Sequence, residues 1–379
     1  MAFSLGDVFR NLTSGKGEGS VLGIDIGSSS VKIVQLRPSR GAAILETYGE
    51  IALGPYAKQP IGKPVKLTPD IVGAAIKDLM RQANVTAKQG GISIPFSSSL
   101  VTILELPKVD PSALKQVVPI EARKYIPVPI SEVSLDWFVI PEEEATDSAF
   151  DQLKPKQQKA PTQEILLVGI QNATLQSFQA ITTEAGVHVD FYEIEIFSAI
   201  RSALSHGLAP VLVVDIGASS SKMYIVERGI VRLTHLVTMG GAQMTDVLAR
   251  SMTWEFEKAE RVKRERGLLP DKAYSSEENE RINEALLSTL TRVFSEVNKV
   301  LLSYGQRYNK NVSRVVLTGG GASLPGISAE AKRSLNAEVE TADPFSRTEA
   351  PAFLGAVLRD IGPGFTVSTG LALRNLRGK

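Results

Sequence analysis

The sequence predicts an α/β protein of two lobes built by duplication, with a small α+β module inserted into the first, and three observations carry that prediction. The stretch VLGIDIGSSSVKIVQL at 21–36 returns as VLVVDIGASSSKMYIV at 211–226. In each copy an apolar strand ends in an aspartate, Asp25 or Asp215, and turns through glycine and small polar residues. It then runs back as a second strand bearing a lysine seven positions on, Lys32 or Lys222. A third glycine cluster, VVLTGGGASLPGI at 315–327, follows another apolar strand late in the chain.

The elements follow in order. In residues 1–20, MAFSLGDVFRNLTSGKGEGS, Leu5, Val8, Phe9 and Leu12 share one apolar helix face. That face suits a membrane-surface or partner-binding helix, or equally a terminal turn docked on its own domain, with the Gly/Ser run behind it as a joint. Residues 21–96 form the first part of lobe one: strands VLGIDIG, VKIVQL and AILETYGEI, then the helical TPDIVGAAIKDLMRQA. From 97 to 186 the texture changes to the inserted module. Its strand SSSLVTILELP is followed by the helix DPSALKQVVPIEARKYI, opened by Asp110 and Pro111, and the strand VSLDWFVI. A polar, charged stretch over about 141–163 reads as a mobile loop, and EILLVGI and ATLQSFQAITTEAG close the module as strand and helix. Residues 187–210 return to lobe one. Lobe two, 211–350, repeats the strand, loop and strand. It adds helices from 241 to about 266 and from 276 to about 308, the strand SRVVLTGGG, and a helix in SLPGISAEAKRSL with Pro325 in its first turn. The segment 351–379, with FTVSTGLALRNL, is expected to come back to lobe one.

Composition narrows the function classes. With 379 residues the chain is long enough for about two domains, and a net charge of +1 with pI about 7.8 gives no bulk field for nucleic acid or an anionic membrane. Cysteine is absent, which removes disulfides and thiolate metal sites. No secretory signal pattern and no apolar run near the ~20 residues of a membrane span appears, so the chain is expected to be soluble or at most peripheral.

The loops point to phosphate. A strand reversing at Gly27 through Ser28, Ser29 and Ser30 exposes successive backbone N–H groups and hydroxyls, a concave nest for phosphate oxygens. Gly217, Ala218, Ser219 and Ser220 repeat it. An aspartate beside a phosphate repels it unless a divalent cation lies between, so Asp25 and Asp215 are candidate Mg²⁺ ligands and Lys32 and Lys222 candidate partners of the outer phosphates. Gly319, Gly320 and Gly321 let backbone approach a flat ring without a Cβ in the way. Ser323, Gly240 and Gly241 complete the candidate nucleotide set.

These three motifs together resemble the actin-like ATPase superfamily, a duplicated ribonuclease H-like fold. The resemblance places phosphate-1 at 25–32, phosphate-2 at 215–222 and the adenosine motif at 319–325. In KAERVKRERG it assigns Glu260 and Lys263 to the ribose and adenine; on a helix, residues three apart share a face. IPFSSSLVTILELP, IEARKYIPVPISEVSLDW and STGLALRNL are similar to the PilM family of type IV pilus assembly proteins, related to FtsA. By that resemblance 97–186 is subdomain 1C, 21–96, 187–210 and 351–379 are subdomain 1A, and 211–350 holds 2A and 2B. It implies a cytoplasmic protein peripheral at the inner membrane, binding ATP or ADP with Mg²⁺ between its lobes. It also implies a groove beside the module for the N-terminal tail of the membrane protein PilN, a link between the pilus motor and the periplasmic alignment complex, and contacts with other pilus proteins or with itself.

Hydrolysis needs a side chain that orients water at the γ-phosphate. Relatives carry it in a Glu-Pro segment; here YEIEIFSAIRSAL offers Glu195, followed by Ile196 instead of proline, so turnover is expected to be weak or absent. Glu193, two residues away, points to the other side if the segment is extended, and an ordinary strand-to-helix junction explains both. His188, His206 and His235 have no metal-like spacing, and no serine–histidine–acid set is visible. A sugar-kinase-like phosphotransferase is the rival enzyme reading, with Asp190 the nearest candidate base. An FtsA-like polymerising division ATPase is the rival scaffold. Against it, ALRNLRGK ends soon after the closing helix, without the linker and amphipathic tail expected of FtsA.

Overall fold

A computed structural model describes residues 19–39, 41–141, 161–205 and 207–376. The apolar face at Leu5–Leu12, nearly all of the polar stretch after Pro141, and His206 lie outside the described residues.

Two five-stranded sheets have the same order and sense. In lobe one, β1 (Val21–Ile26), β2 (Ser30–Ser39) and β3 (Ala42–Ala52) form an antiparallel meander, and β4 (Gln89–Ile94) and β8 (His188–Ile194) continue parallel to β1, giving β3-β2-β1-β4-β8. In lobe two, β9 (Val211–Ile216), β10 (Ser221–Glu227), β11 (Ile230–Val237), β12 (Arg314–Thr318) and β13 (Glu338–Thr341) give β11-β10-β9-β12-β13 with the same pattern of directions. Strand parity sets the faces. Leu212, Val214 and Ile216 enter the lobe-two core, whereas Val211 and Val213 join the core that continues into lobe one, and Asp215 shares their face. Every residue of β9 is buried because both faces of this central strand are covered.

In lobe one, α1 (Pro69–Gln82) and α3 (Asn172–Ala185) pack together on the sheet; a Cβ at Gly73 would stand 2.6 Å from Glu184 Cβ. The sequence reading had α3 closing the inserted module, but its partner is α1. On the other face, α4 (Glu195–Ala203) pairs with α10 (Thr366–Leu376), so the last described helix lies in lobe one. Lobe two carries α5 (Gly241–Met252), α6 (Phe256–Glu265), α7 (Ser276–Tyr308) and α8 (Ile327–Ser334), whereas α9 (Gly355–Ile361), near the cleft, packs Leu358 into the core with Val21, Val34 and Leu36 of lobe one. A reciprocal cap starts α7: Ser275 Oγ accepts from Glu278 N, and Glu278 accepts from Ser275 N at 2.8 Å. The helix expected over 241–266 is two helices, because Thr253 closes α5 in the left-handed region at φ 53°. Pro325 precedes α8 instead of occupying its first turn: it follows a 3₁₀ turn at Gly320–Ser323, and Gly326 at φ 87° separates it from the helix.

The inserted module is an antiparallel sheet, β5-β7-β6, of β5 (Ser99–Pro107), β6 (Val133–Val139) and β7 (Thr162–Gln171). Leu104, Leu106, Ile165 and Leu167 pack on α2 (Pro111–Ala122) through Leu114, Val118 and Ala122. The opposite face, with Val101, Ile103, Leu166, Val168 and Ile170, merges with the main core. The module also touches lobe two: Arg232 meets Glu164 at 2.6 Å and Thr234 Oγ1 donates to Val101 O at 3.1 Å.

Candidate functional site

A cleft of about 660 Å³ lies between the lobes. The two hairpin turns, the glycine cluster and the α4 N-terminus all open onto it. Of the residues singled out from the sequence, Asp25, Gly27, Ser28, Ser29, Ser30, Lys32, Glu195, Asp215, Gly217, Ala218, Ser219, Ser220, Lys222, Gly241, Glu260, Lys263, Gly319, Gly320, Gly321 and Ser323 line it. Gly240 does not. It caps α5 under the second turn, where a Cβ would stand 2.5 Å from Gly217 O.

The seven-residue Asp–Lys spacing is a cross-strand pair: Asp25 faces Lys32 and Asp215 faces Lys222 in register. Gly27 N donates to Ser30 O and Gly217 N to Ser220 O, each at 2.9 Å, so the two turns close identically. The carbonyls of Ser28 and Ser29 accept from the amides of Val65 and Leu53, and those of Gly217 and Ala218 from the amides of Gly241 and Ala242. A trans peptide points its N–H opposite to its C=O. The following amides, Ser29 and Ser30 in one turn and Ala218 and Ser219 in the other, are therefore directed away from these partners.

The charges differ between the copies. Lys222 Nζ donates to Asp215 at 2.9 Å and to Glu195 Oε2 at 2.6 Å. Burial would lower its pKa, but the two carboxylates outweigh it and hold the ammonium charged. Lys32 instead reaches Ser30 Oγ at 3.1 Å and Glu50 at 3.3 Å, and Asp25 Oδ1 accepts from Ser93 Oγ at 2.7 Å. Burial pushes the Asp25 carboxyl above the ordinary range against the pull of Lys32. Burial likewise raises Glu195, with Lys222 opposing and Asp215 and Asp25 adding to it. Buried carboxylates thus crowd the polar end of the cleft. Among the described residues no group of three or more His, Asp or Glu is arranged to hold a metal, so a cation here would need ligand atoms from outside the chain.

Glu193 and Glu195 part ways. Glu193 is fully buried away from the cleft, paired with Arg201 at 2.7 Å and Arg374 at 2.9 Å and accepting from Ser198. Glu195 starts α4 and turns into the cleft, with Ile194 as the extended cap residue. On α6, Glu260 pairs with Lys263 at 2.6 Å, and Lys263 Nζ also donates to Gly241 O at 2.9 Å and Thr245 Oγ1 at 2.8 Å. Gly62 of lobe one abuts this pair; a Cβ there would come within 2.4 Å of Glu260 Oε1. Gly319 has φ 80°, and a Cβ on it would meet Asp215 Oδ1 at 2.3 Å, so the glycine cluster sits directly on the second aspartate.

Sequence reasoning missed Ser93, Glu50 and Thr318 with the segment Pro363–Thr366. Glu50 was legible in principle, since it stands opposite Lys32 on the third strand of the meander. Ser93 lies on β4, a strand not singled out because two of its residues are glycines; a Cβ on Gly90 would stand 1.9 Å from Leu22 O. Thr318 and Gly319 accept no sequence-visible partner, yet both donate to Pro363 O, at 3.1 and 2.9 Å. Asp190 is exposed on β8, outside the cleft, 3.9 Å from His188. His235 pairs with Glu296 at 3.1 Å.

The profile of the family described as type IV pilus assembly protein PilM matches residues 23–376. Among solved structures, the PilM-PilN type IV pilus biogenesis complex superposes with a TM-score of 0.76, covering 95% of this chain and 99% of that chain at 22% identity. MreB 5 of Spiroplasma citri bound to AMPPNP gives 0.51 over 94% and 96% at 11% identity. These likenesses show an actin-like fold. Cell division protein FtsA of Bacillus subtilis (strain 168) is 24% identical over 289 residues, 70% of this chain; the chain spans 64% of that relative's length. Among the described residues no helix is long and apolar enough to cross a membrane. With the family profile running from the first strand to the last helix of this duplicated fold, the chain belongs to the PilM family of type IV pilus assembly proteins.

Proposed function

We propose that the protein is an ATP- or ADP-binding scaffold of the type IV pilus machinery. In this reading it holds nucleotide and Mg²⁺ at the polar end of its cleft and the N-terminal tail of PilN at the apolar end. The carrying observation is that two hairpins of identical register and a triglycine turn converge on one cleft. The cleft's apolar lining includes Leu67, Val72, Phe178 and Ile181 of lobe one. Ser97 and Ser177 lie there too, each in a segment that joins the module to that lobe. An extended peptide tail beside the module fits that end, and a triphosphate fits the turns. The residues suit Mg²⁺: Asp25 and Asp215 supply two oxygen ligands where negative charge is in excess, and substrate phosphates and waters would complete the shell. Asp25 is the more exposed to this argument, since burial disfavours its charge and a cation would restore it.

The relatives lend support of two kinds: MreB 5 of this fold binds AMPPNP, and the PilM of the solved complex is paired with PilN. Through PilN the protein would sit at the cytoplasmic face of the inner membrane as a peripheral partner and link motor to alignment complex. The reading is binding and not rapid turnover, because both Glu195 oxygens already have donors, Phe96 N and Lys222 Nζ, each at 2.6 Å. Nothing in the cleft favours the kinase alternative, as Asp190 lies outside it. Calorimetric titration of ATP with and without Mg²⁺ tests this. Asp215→Asn should lose the Mg²⁺-dependent part of the affinity, tenfold or more by loss of a charged ligand, while keeping its circular dichroism spectrum. Unchanged affinity would remove Asp215 from the site.

A further inference from the structure

Glu195 ties three parts of the molecule together. Its backbone opens α4 of lobe one. Its Oε1 accepts the Phe96 N–H at 2.6 Å, in the turn where β4 of lobe one becomes β5 of the inserted module. Its Oε2 accepts Lys222 Nζ at 2.6 Å, from β10 of lobe two. Lys222 also holds Asp215 at 2.9 Å and, like Pro95 and Ser97 on either side of Phe96, lines the cleft. The Phe96 side chain is buried in the core shared with Val101, Val168 and Ile170 of the module, so its backbone cannot shift without moving the module's root.

Resting on the nucleotide reading above, we propose that Glu195 is a positioning residue that couples occupancy of the polar end of the cleft to the root of the inserted module. A bound polyphosphate carries more charge than a carboxylate and competes for the Lys222 ammonium. Glu195, its side chain 12% exposed, then stands beside Asp25 and Asp215 without the Lys222 ammonium, the Mg²⁺ of that reading being held by the two aspartates and the phosphates. A buried carboxylate without a cation is costly enough to move, and its charge-assisted bond to Phe96 weakens as it does. The 95–98 turn loosens, and with it Ser97 on the apolar wall. Nucleotide at one end of the cleft thereby changes the shape offered to a ligand at the other, through one side chain.

Hydrogen exchange of the full chain, read on peptides covering Phe96, tests the coupling in the presence of AMP-PNP and Mg²⁺ at saturation fixed by calorimetry. In the wild type, nucleotide is expected to speed Phe96 exchange about tenfold, the scale of one charge-assisted hydrogen bond. In Glu195→Ala exchange should be fast without nucleotide and unchanged by it. Glu195→Gln, which keeps an acceptor for Phe96 but no charge for Lys222, should also lose the response and serves if the alanine variant does not fold. A merely structural Glu195 would give fast exchange in the alanine variant but no nucleotide effect in the wild type, and that result overturns the proposal. Bound nucleotide with Phe96 unmoved overturns the coupling and leaves nucleotide binding standing; no calorimetric binding overturns both.

Discussion

At the scale of single residues, what distinguishes Glu193 from Glu195 is their set of partners. Glu193 is fully buried among Arg201, Arg374 and Ser198, and although burial alone would raise its pKa, the Arg201 guanidinium outweighs it and holds the carboxyl below the ordinary range. A carboxylate whose folded pKa is depressed contributes stability at neutral pH. That contribution is lost as pH falls through the folded value. Glu193→Gln should therefore destabilise the protein by about 3 kcal/mol at pH 7, leaving two arginines facing a neutral amide. In urea unfolding the variant and wild type should converge in acid; a constant gap at all pH values would show that packing and not charge is lost. No periodicity distinguishes the two glutamates, since a strand ends between them and the parity argument stops at Ile194.

At the scale of elements, the twin hairpins were fully legible. The spacing from aspartate to lysine dictates the register once the turn closes from glycine to serine, and the register puts both side chains on one face. Less legible was α10, whose small residues Ser368, Gly370 and Ala372 have a reason that only the packing shows. The reason is close approach: a Cβ on Gly370 would stand 1.9 Å from Ser198 O, and one on Gly23 of β1 would stand 2.0 Å from Ser368 O. The helix is pressed against α4 on one side and the first strand on the other. Gly370→Ala should cost about 2 kcal/mol or more by forcing these backbones apart, visible as a lower midpoint of thermal unfolding. An unshifted midpoint would mean that α10 can slide. The break between α5 and α6 was missed because Thr253 adopts the left-handed region, which a threonine seldom does and no pattern announces.

At the scale of the whole molecule, the inserted module is not a free appendage of lobe one. Arg232 of β11 is buried between Glu164 of the module and Glu227 of lobe two, at 2.6 and 3.4 Å, and Lys310 and Tyr304 also hold Glu227. Arg232→Ala should cost about 1–2 kcal/mol and speed hydrogen exchange in β6 and β7, because Glu164 of the module loses its cation while Glu227 keeps Lys310 and Tyr304. Slower or unchanged exchange there would show that the apolar face of the module alone holds it to lobe two.

The sequence by itself determined the duplication, the two hairpins and the residue types that meet in the cleft, because strand parity and turn chemistry are local rules and repeat wherever the pattern repeats. Tertiary structure alone decided that Lys222 would serve Asp215 and Glu195 while Lys32 turned to Glu50 and Ser30. It also decided that α3 would pack on α1, and that Phe96 would donate to Glu195 across the root of the module. Those pairings join residues far apart in the chain, and which of several nearby charges a buried ammonium serves depends on distances that only the packed lobes fix.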